Sequence, residues 1–124
     1  MILAIRTDKP DAELLLLGGD GLSARCEWRA DRQLAETLTA RIDQFLASQN
    51  VALTDLRGVA VYVGPGSFTG LRIGISVANA LGAGLGVPVH ALDEDTWGSS
   101  VTGHGERLVL PKYGSEPHIT APRK

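Results

Sequence analysis

The stretch from Gly58 to Gly86, GVAVYVGPGSFTGLRIGISVANALGAGLG, constrains the fold more than any other part of the chain. Val59 to Val63 is apolar at every position and reads as a strand buried on both faces. Gly64-Pro65-Gly66 breaks it with a turn, and Thr69 to Gly86 reads as a long helix. Val87 to Leu92, with Pro88 near its start, reads as a further strand. A strand, a helical crossover and a second strand pair in parallel, so a sheet with helices packed on it is required.

The first half of the chain supplies the rest of that sheet. Met1 to Ile5 and Glu13 to Leu17 are apolar runs separated by the polar turn Arg6-Thr7-Asp8-Lys9-Pro10. Gly18-Gly19-Asp20-Gly21 is a strong hairpin signal. Leu22 to Trp28 alternates, with Leu22, Ala24, Cys26 and Trp28 on one face. These three strands are expected to form an antiparallel meander. Asp31 is placed to cap a helix running to about Gln49, with Asn50 as a left-handed terminator. Its apolar stripe is Leu34, Ala35, Leu38, Ile42, Phe45 and Leu46, opposite Glu36, Ala40, Asp43 and Ala47. The predicted order is β-β-β-α-β-α-β in a mixed sheet. This α/β order is that of a ribonuclease-H-like, actin-like half-domain.

From Asp93 onward the pattern fades. Gly98, Gly103 and Gly105 mark loops, and Pro111, Pro117 and Pro122 keep the end extended. Arg107 to Leu110 is a candidate short strand. At this end Arg107, Lys112, Arg123 and Lys124 outweigh Glu116 and leave a small basic tail, read as a solvated terminus.

Composition narrows the function classes. At 124 residues and 44% hydrophobic content, the chain suits one domain with a real core. A formal charge of −2 gives no general attraction to nucleic acid. Cys26 is the single cysteine, so no internal disulfide can form. No apolar run is long enough to span a membrane, and Arg6 and Asp8 interrupt the apolar start that a signal peptide needs. A reducing cytoplasm is the expected compartment. His90, His104 and His118 lack the spacing of a helical metal pair, and no serine lies in a nucleophile elbow. The acids Asp93, Glu94 and Asp95 read as a solvated loop rather than a metal site.

Two features of the central stretch bear on binding. The second helix has one narrow polar strip, Arg72, Ser76, Asn79 and Ala83, and is otherwise apolar or glycine. Gly70, Gly74, Ala78, Gly82 and Gly86 form a row of small residues, each four apart, that can admit a neighbouring helix or strand. The neighbour is either this chain's own first helix or sheet, or a helix of a partner. The turn offers Gly66 for positive φ and Ser67 or Thr69 as helix caps. Such a helix start can hold a phosphate or carboxylate, yet no Walker lysine follows. A purely structural turn is the other reading.

The motif GPGSFTGLR, Gly64 to Arg72, closely resembles the TsaB (YeaZ) family, together with the preceding Gly58-Val59-Ala60-Val61 and the following Gly84-Leu85-Gly86-Val87-Pro88. The opening MILAI and Glu36-Thr37-Leu38 match in order. The resemblance covers residues 1 to about 92. It implies an actin-like N-terminal domain over 1–92, followed by a loop and extended basic tail over 93–124, with the family's second domain absent. It implies a non-catalytic scaffold that supports a TsaD-like transferase, which carries the metal, in threonylcarbamoyladenosine modification at tRNA position 37. A TsaE-like ATPase is a further implied partner, a homodimer is the alternative pairing, and tRNA is touched only indirectly. No cofactor is implied for the chain itself, with ATP or ADP confined to a partner interface. The interface roles carried over fall on Leu38, Ile42, Gly74, Ala78 and Leu81. An anion or nucleotide site at Gly66, Ser67 and Thr69, and a self-pairing diverged paralogue, are the alternative functions. The sequence departs from the family where Ile5-Arg6-Thr7 replaces Ile-Asp-Thr, and where Leu34-Ala35 replaces His-Ser ahead of Glu36.

Overall fold

A computed structural model describes residues 1–18, 21–30, 33–66 and 68–97. Five strands form one sheet: β1 (Ile2–Arg6), β2 (Asp11–Gly18), β3 (Gly21–Arg29), β4 (Gly58–Tyr62) and β5 (Val89–Leu92). Two helices, α1 (Leu34–Ser48) and α2 (Phe68–Leu85), follow β3 and β4. The strand order is β3-β2-β1-β4-β5. β1, β2 and β3 pair antiparallel, whereas β1–β4 and β4–β5 pair parallel. This is the mixed sheet of a ribonuclease-H-like, actin-like fold. The expected element order holds throughout the described residues.

Both helices cover the same sheet face. Leu3 and Ile5 of β1, Leu14 and Leu16 of β2, and Val59 and Val61 of β4 form one core with Leu38, Ile42 and Phe45 of α1 and Leu71, Ile75 and Ala78 of α2. Ala4, Leu15, Leu17, Ala60 and Leu92 form a second cluster on the opposite face. All five residues of β4 are buried, as a strand flanked on both edges by parallel neighbours requires.

Helix α1 ends in a left-handed residue, as expected. Asn50 has φ 58°, its N–H bonds the Ala47 carbonyl at 3.1 Å, and the Val51 N–H bonds the Leu46 carbonyl at 2.9 Å. This double closure satisfies two carbonyls that the helix end would otherwise leave open. At the other end Gln33 occupies the cap position and makes no side-chain capping bond. Asp31 lies outside the described residues, as do Gly19, Asp20, Ser67, His104, His118, the candidate strand at Arg107 and the basic tail.

The structure corrects three local expectations. Leu22 does not share a face with Ala24, Cys26 and Trp28. Leu16 pairs with Ala24 but Leu17 pairs with Leu22, so Ser23 is an extra residue at a bulge. The bulge turns Leu22 to the other face, where it is 55% exposed. Ala35 is exposed rather than part of the buried stripe of α1. The positive φ of the turn falls on Gly64, at 124°, and not on Gly66.

Candidate functional site

The carboxyl ends of the parallel strands meet at one edge of the sheet, the usual ligand position in open α/β sheets. Arg6 ends β1, Tyr62 ends β4, and Glu94 follows β5. The Arg6 side chain is buried, and its guanidinium lies 3.9 Å over the Tyr62 ring. Arg6 Nε donates to Asp8 Oδ1 at 2.7 Å, and its terminal nitrogens donate to Glu94 at 3.0 and 3.3 Å. The Tyr62 hydroxyl donates to the Pro65 carbonyl at 2.6 Å and also lies 3.3 Å from Glu94 Oε2. Trp97 closes the cluster. Its ring stands edge-on to Tyr62, and its indole N–H donates to Glu13 at 3.1 Å.

Burial opposes the charge of Arg6, but its hydrogen bonds to Asp8 and Glu94 more than reverse this and raise its pKa. The hydrogen bond from Arg6 is the main reason that the Glu94 carboxyl titrates below its ordinary value. Burial pushes the Tyr62 hydroxyl up. The edge where a ligand would sit is therefore occupied by a charge-paired arginine. The exchange of acid for Arg6 is visible in the sequence, but its partners are not. Glu94 lies 88 residues away, and no local pattern announces such a pair.

The acidic run after β5 is a closed turn. Asp93 Oδ1 accepts from the N–H groups of Asp95 and Thr96, each at 3.1 Å, and Thr96 Oγ1 accepts from the Asp93 N–H at 2.8 Å. Among the described residues no group of three or more His, Cys, Asp or Glu side chains could hold a metal ion.

The row of small residues on α2 faces the chain's own sheet. Thr7 lies against both Gly70 and Gly74, and Val89 lies against Gly82, close enough that an added Cβ would collide with each. The Thr7 hydroxyl donates to the Gly70 carbonyl at 2.6 Å. Of the five residues expected at a partner interface, Leu38, Ile42, Gly74 and Ala78 are buried inside the chain. Leu38 and Ala78 have no accessible surface at all, so no partner can touch them while the fold is intact. Leu81 alone is half-buried. It belongs to a ridge of half-buried residues, Ile73, Val77, Leu81 and Leu85, that packs at the core's margin. The chain thus covers more of α2 than its composition suggests.

A groove of about 510 Å³ runs beside this ridge, lined by Ala35 of α1 and Thr69, Arg72, Ile73, Ser76 and Val77 of α2. Its lining combines the apolar Ala35, Ile73 and Val77 with the polar Thr69, Arg72 and Ser76, which suits an amphipathic helix. Thr69, expected to hold an anion, also lines this groove. Gly66 is exposed and stands against Asp8, whose Cβ would lie 2.6 Å from a Cβ at Gly66. An anion at that turn would face the Asp8 carboxylate. Among the described residues no helix is long and apolar enough to cross a membrane.

A family model described as TsaD: tRNA N6-adenosine threonylcarbamoyltransferase matches residues 28–103, more than half of the chain. The tRNA N6-adenosine threonylcarbamoyltransferase of Geotalea uraniireducens is 43% identical over 60 residues, covering 48% of this chain and 18% of that protein. The tRNA threonylcarbamoyladenosine biosynthesis protein TsaB of Escherichia coli is 33% identical over 88 residues, covering 71% of this chain and 38% of that protein. The solved structure of YeaZ from Pseudomonas aeruginosa aligns with a TM-score of 0.68 at 30% identity, covering 74% of this chain and 43% of that one. The chain spans 18% to 38% of the length of these two curated relatives. Strand order, the GPGSFTGLR turn and these alignments agree, and the chain belongs to the family of the tRNA N6-adenosine threonylcarbamoyltransferase TsaD, within which it is TsaB (YeaZ)-like.

Proposed function

We propose that the chain is a non-catalytic partner subunit that docks a TsaD-like transferase and thereby serves threonylcarbamoyladenosine modification of tRNA. The observation that carries this reading is the half-buried ridge Ile73, Val77, Leu81 and Leu85, bordered by the groove with Ala35. This surface has the form of a helix-docking site in a chain of the same family as the transferase itself. Arg6 supports a scaffold over a nucleotide-hydrolysing enzyme, because a cation paired with Asp8 stands at the strand end where the family carries the acid of Ile-Asp-Thr. Residues 1–92 form the docking domain in this reading, and the setting is the cytoplasm, where tRNA is modified. A TsaE-like ATPase joins through the transferase rather than through the described residues.

Burying one leucine-sized side chain contributes about 2 kcal/mol, so a few ridge residues are enough to carry an interface. Calorimetric titration of the transferase homologue from the same source tests this. Leu81→Ala is expected to weaken association about tenfold. Unchanged affinity in a folded Leu81→Ala protein would count against docking through this ridge.

A further inference from the structure

The outer edge of the Arg6 guanidinium holds a carboxylate, that of the chain's own Glu94. Asp8 takes Nε and part of one terminal nitrogen, on the buried side. The remaining donors form a fork that holds both oxygens of Glu94, at 3.0 and 3.3 Å. The Tyr62 hydroxyl adds a third polar contact at 3.3 Å from Glu94 Oε2. Tyr62 and Trp97 wall the guanidinium at 3.9 and 5.6 Å from their ring centroids. A planar fork between aromatic walls is the geometry by which arginine selects carboxylates.

The burial of the two partners differs sharply. The Arg6 side chain is 7% exposed and that of Glu94 is 63% exposed. The receptor half is thus built into the sheet, while the occupant sits outermost on a surface turn. Solvent reaches the Glu94 side of the pair and screens it, so the occupant can be exchanged at smaller cost than the buried Asp8. We propose that Arg6 and Tyr62 form a binding site for a small monocarboxylic acid, with Glu94 acting as a built-in cap that a free carboxylate must displace. Lys9 also acts electrostatically on Glu94. With Glu94 displaced, Arg6, Lys9 and Asp8 leave one net positive charge, which matches a monoanion and falls short of a phosphate dianion. The depressed titration of Glu94 agrees, since the site favours the ionised carboxyl even beside Asp8. This site is separate from the α2 groove and does not depend on the docking reading.

The test is Glu94→Ala, with Glu94→Gln as the second variant in case the first does not fold, each checked by circular dichroism. Arg6 guanidinium resonances are followed by NMR during titration with sodium acetate, with sodium chloride at matched ionic strength as control. A tethered cap has an effective concentration in the millimolar range, so its removal has a measurable effect on affinity. Saturable acetate binding in the variant, about two- to fivefold weaker in the wild-type chain, is the expected result. A response equal to that of chloride, or equal affinity in variant and wild type, would overturn the proposal. Inorganic phosphate in a parallel titration is expected to bind more weakly than acetate, and tighter phosphate binding would overturn the carboxylate assignment.

Discussion

The Thr7 hydroxyl donates a 2.6 Å hydrogen bond to the Gly70 carbonyl, and a Cβ at Gly70 would strike the carbonyl oxygen of Thr7. This contact fixes the start of α2 against the end of β1. Glycine is required there for close approach. Gly70→Ala is expected to destabilise the fold by about 1–3 kcal/mol through overpacking, although alanine is the better helix former. Gly84, in the same helix, has open space around it. Gly84→Ala is therefore expected to stabilise by up to about 1 kcal/mol. Urea unfolding of the pair measures both, and opposite signs are the expected outcome.

The ion pairs of Arg6 are unequal. Asp8 is as deeply buried as Arg6, with 5% of its side chain exposed, whereas Glu94 is mostly exposed. Arg6→Met strands the Asp8 carboxylate, and breaking a buried pair from one side costs about 3–5 kcal/mol. Glu94→Gln removes an outer, solvent-screened partner and is expected to cost much less than Arg6→Met. Denaturation midpoints of the two variants measure the difference, and equal losses would contradict this division of roles.

Burial holds the His90 imidazole below its ordinary pKa of 6.5. A histidine kept neutral by the fold contributes stability that is present in full above the unfolded pKa of about 6.5 and is lost as pH falls through the lower folded value. Stability is therefore expected to decline on acidification from about pH 6.5. His90→Gln is expected to flatten that part of the pH profile. The comparison is thermal melting of both proteins between neutral and mildly acidic pH.

Much of the fold was legible in the sequence because each element carries its own signal. Val59 to Val63 has the unbroken apolarity of a central parallel strand, and Asn50 ends α1 in a left-handed conformation that asparagine tolerates. The bulge at Ser23 was not legible, since alternation from Leu22 to Trp28 reads the same with or without an extra residue. The site was legible only in outline. The small-residue row of α2 announces close packing but not the identity of the neighbour, which proves to be Thr7 and Val89. A helix wheel likewise cannot separate Ala78, wholly buried, from Leu81, which keeps accessible surface at the ridge. The Arg6–Glu94 pair joins the end of the first strand to the turn after the last, and such pairing exists only once the sheet has assembled.

The central claim is that the groove beside Ile73 and Val77 docks a TsaD-like transferase. Ser76 lines this groove and is exposed, so Ser76→Arg fills the groove without disturbing the core. Co-expression with the transferase homologue from the same source, followed by size-exclusion chromatography with light scattering, is the most direct measurement. The account predicts a one-to-one complex with the wild-type chain and free, folded protein with Ser76→Arg. A wild-type chain that never co-elutes, or a complex indifferent to Ser76→Arg, would contradict it.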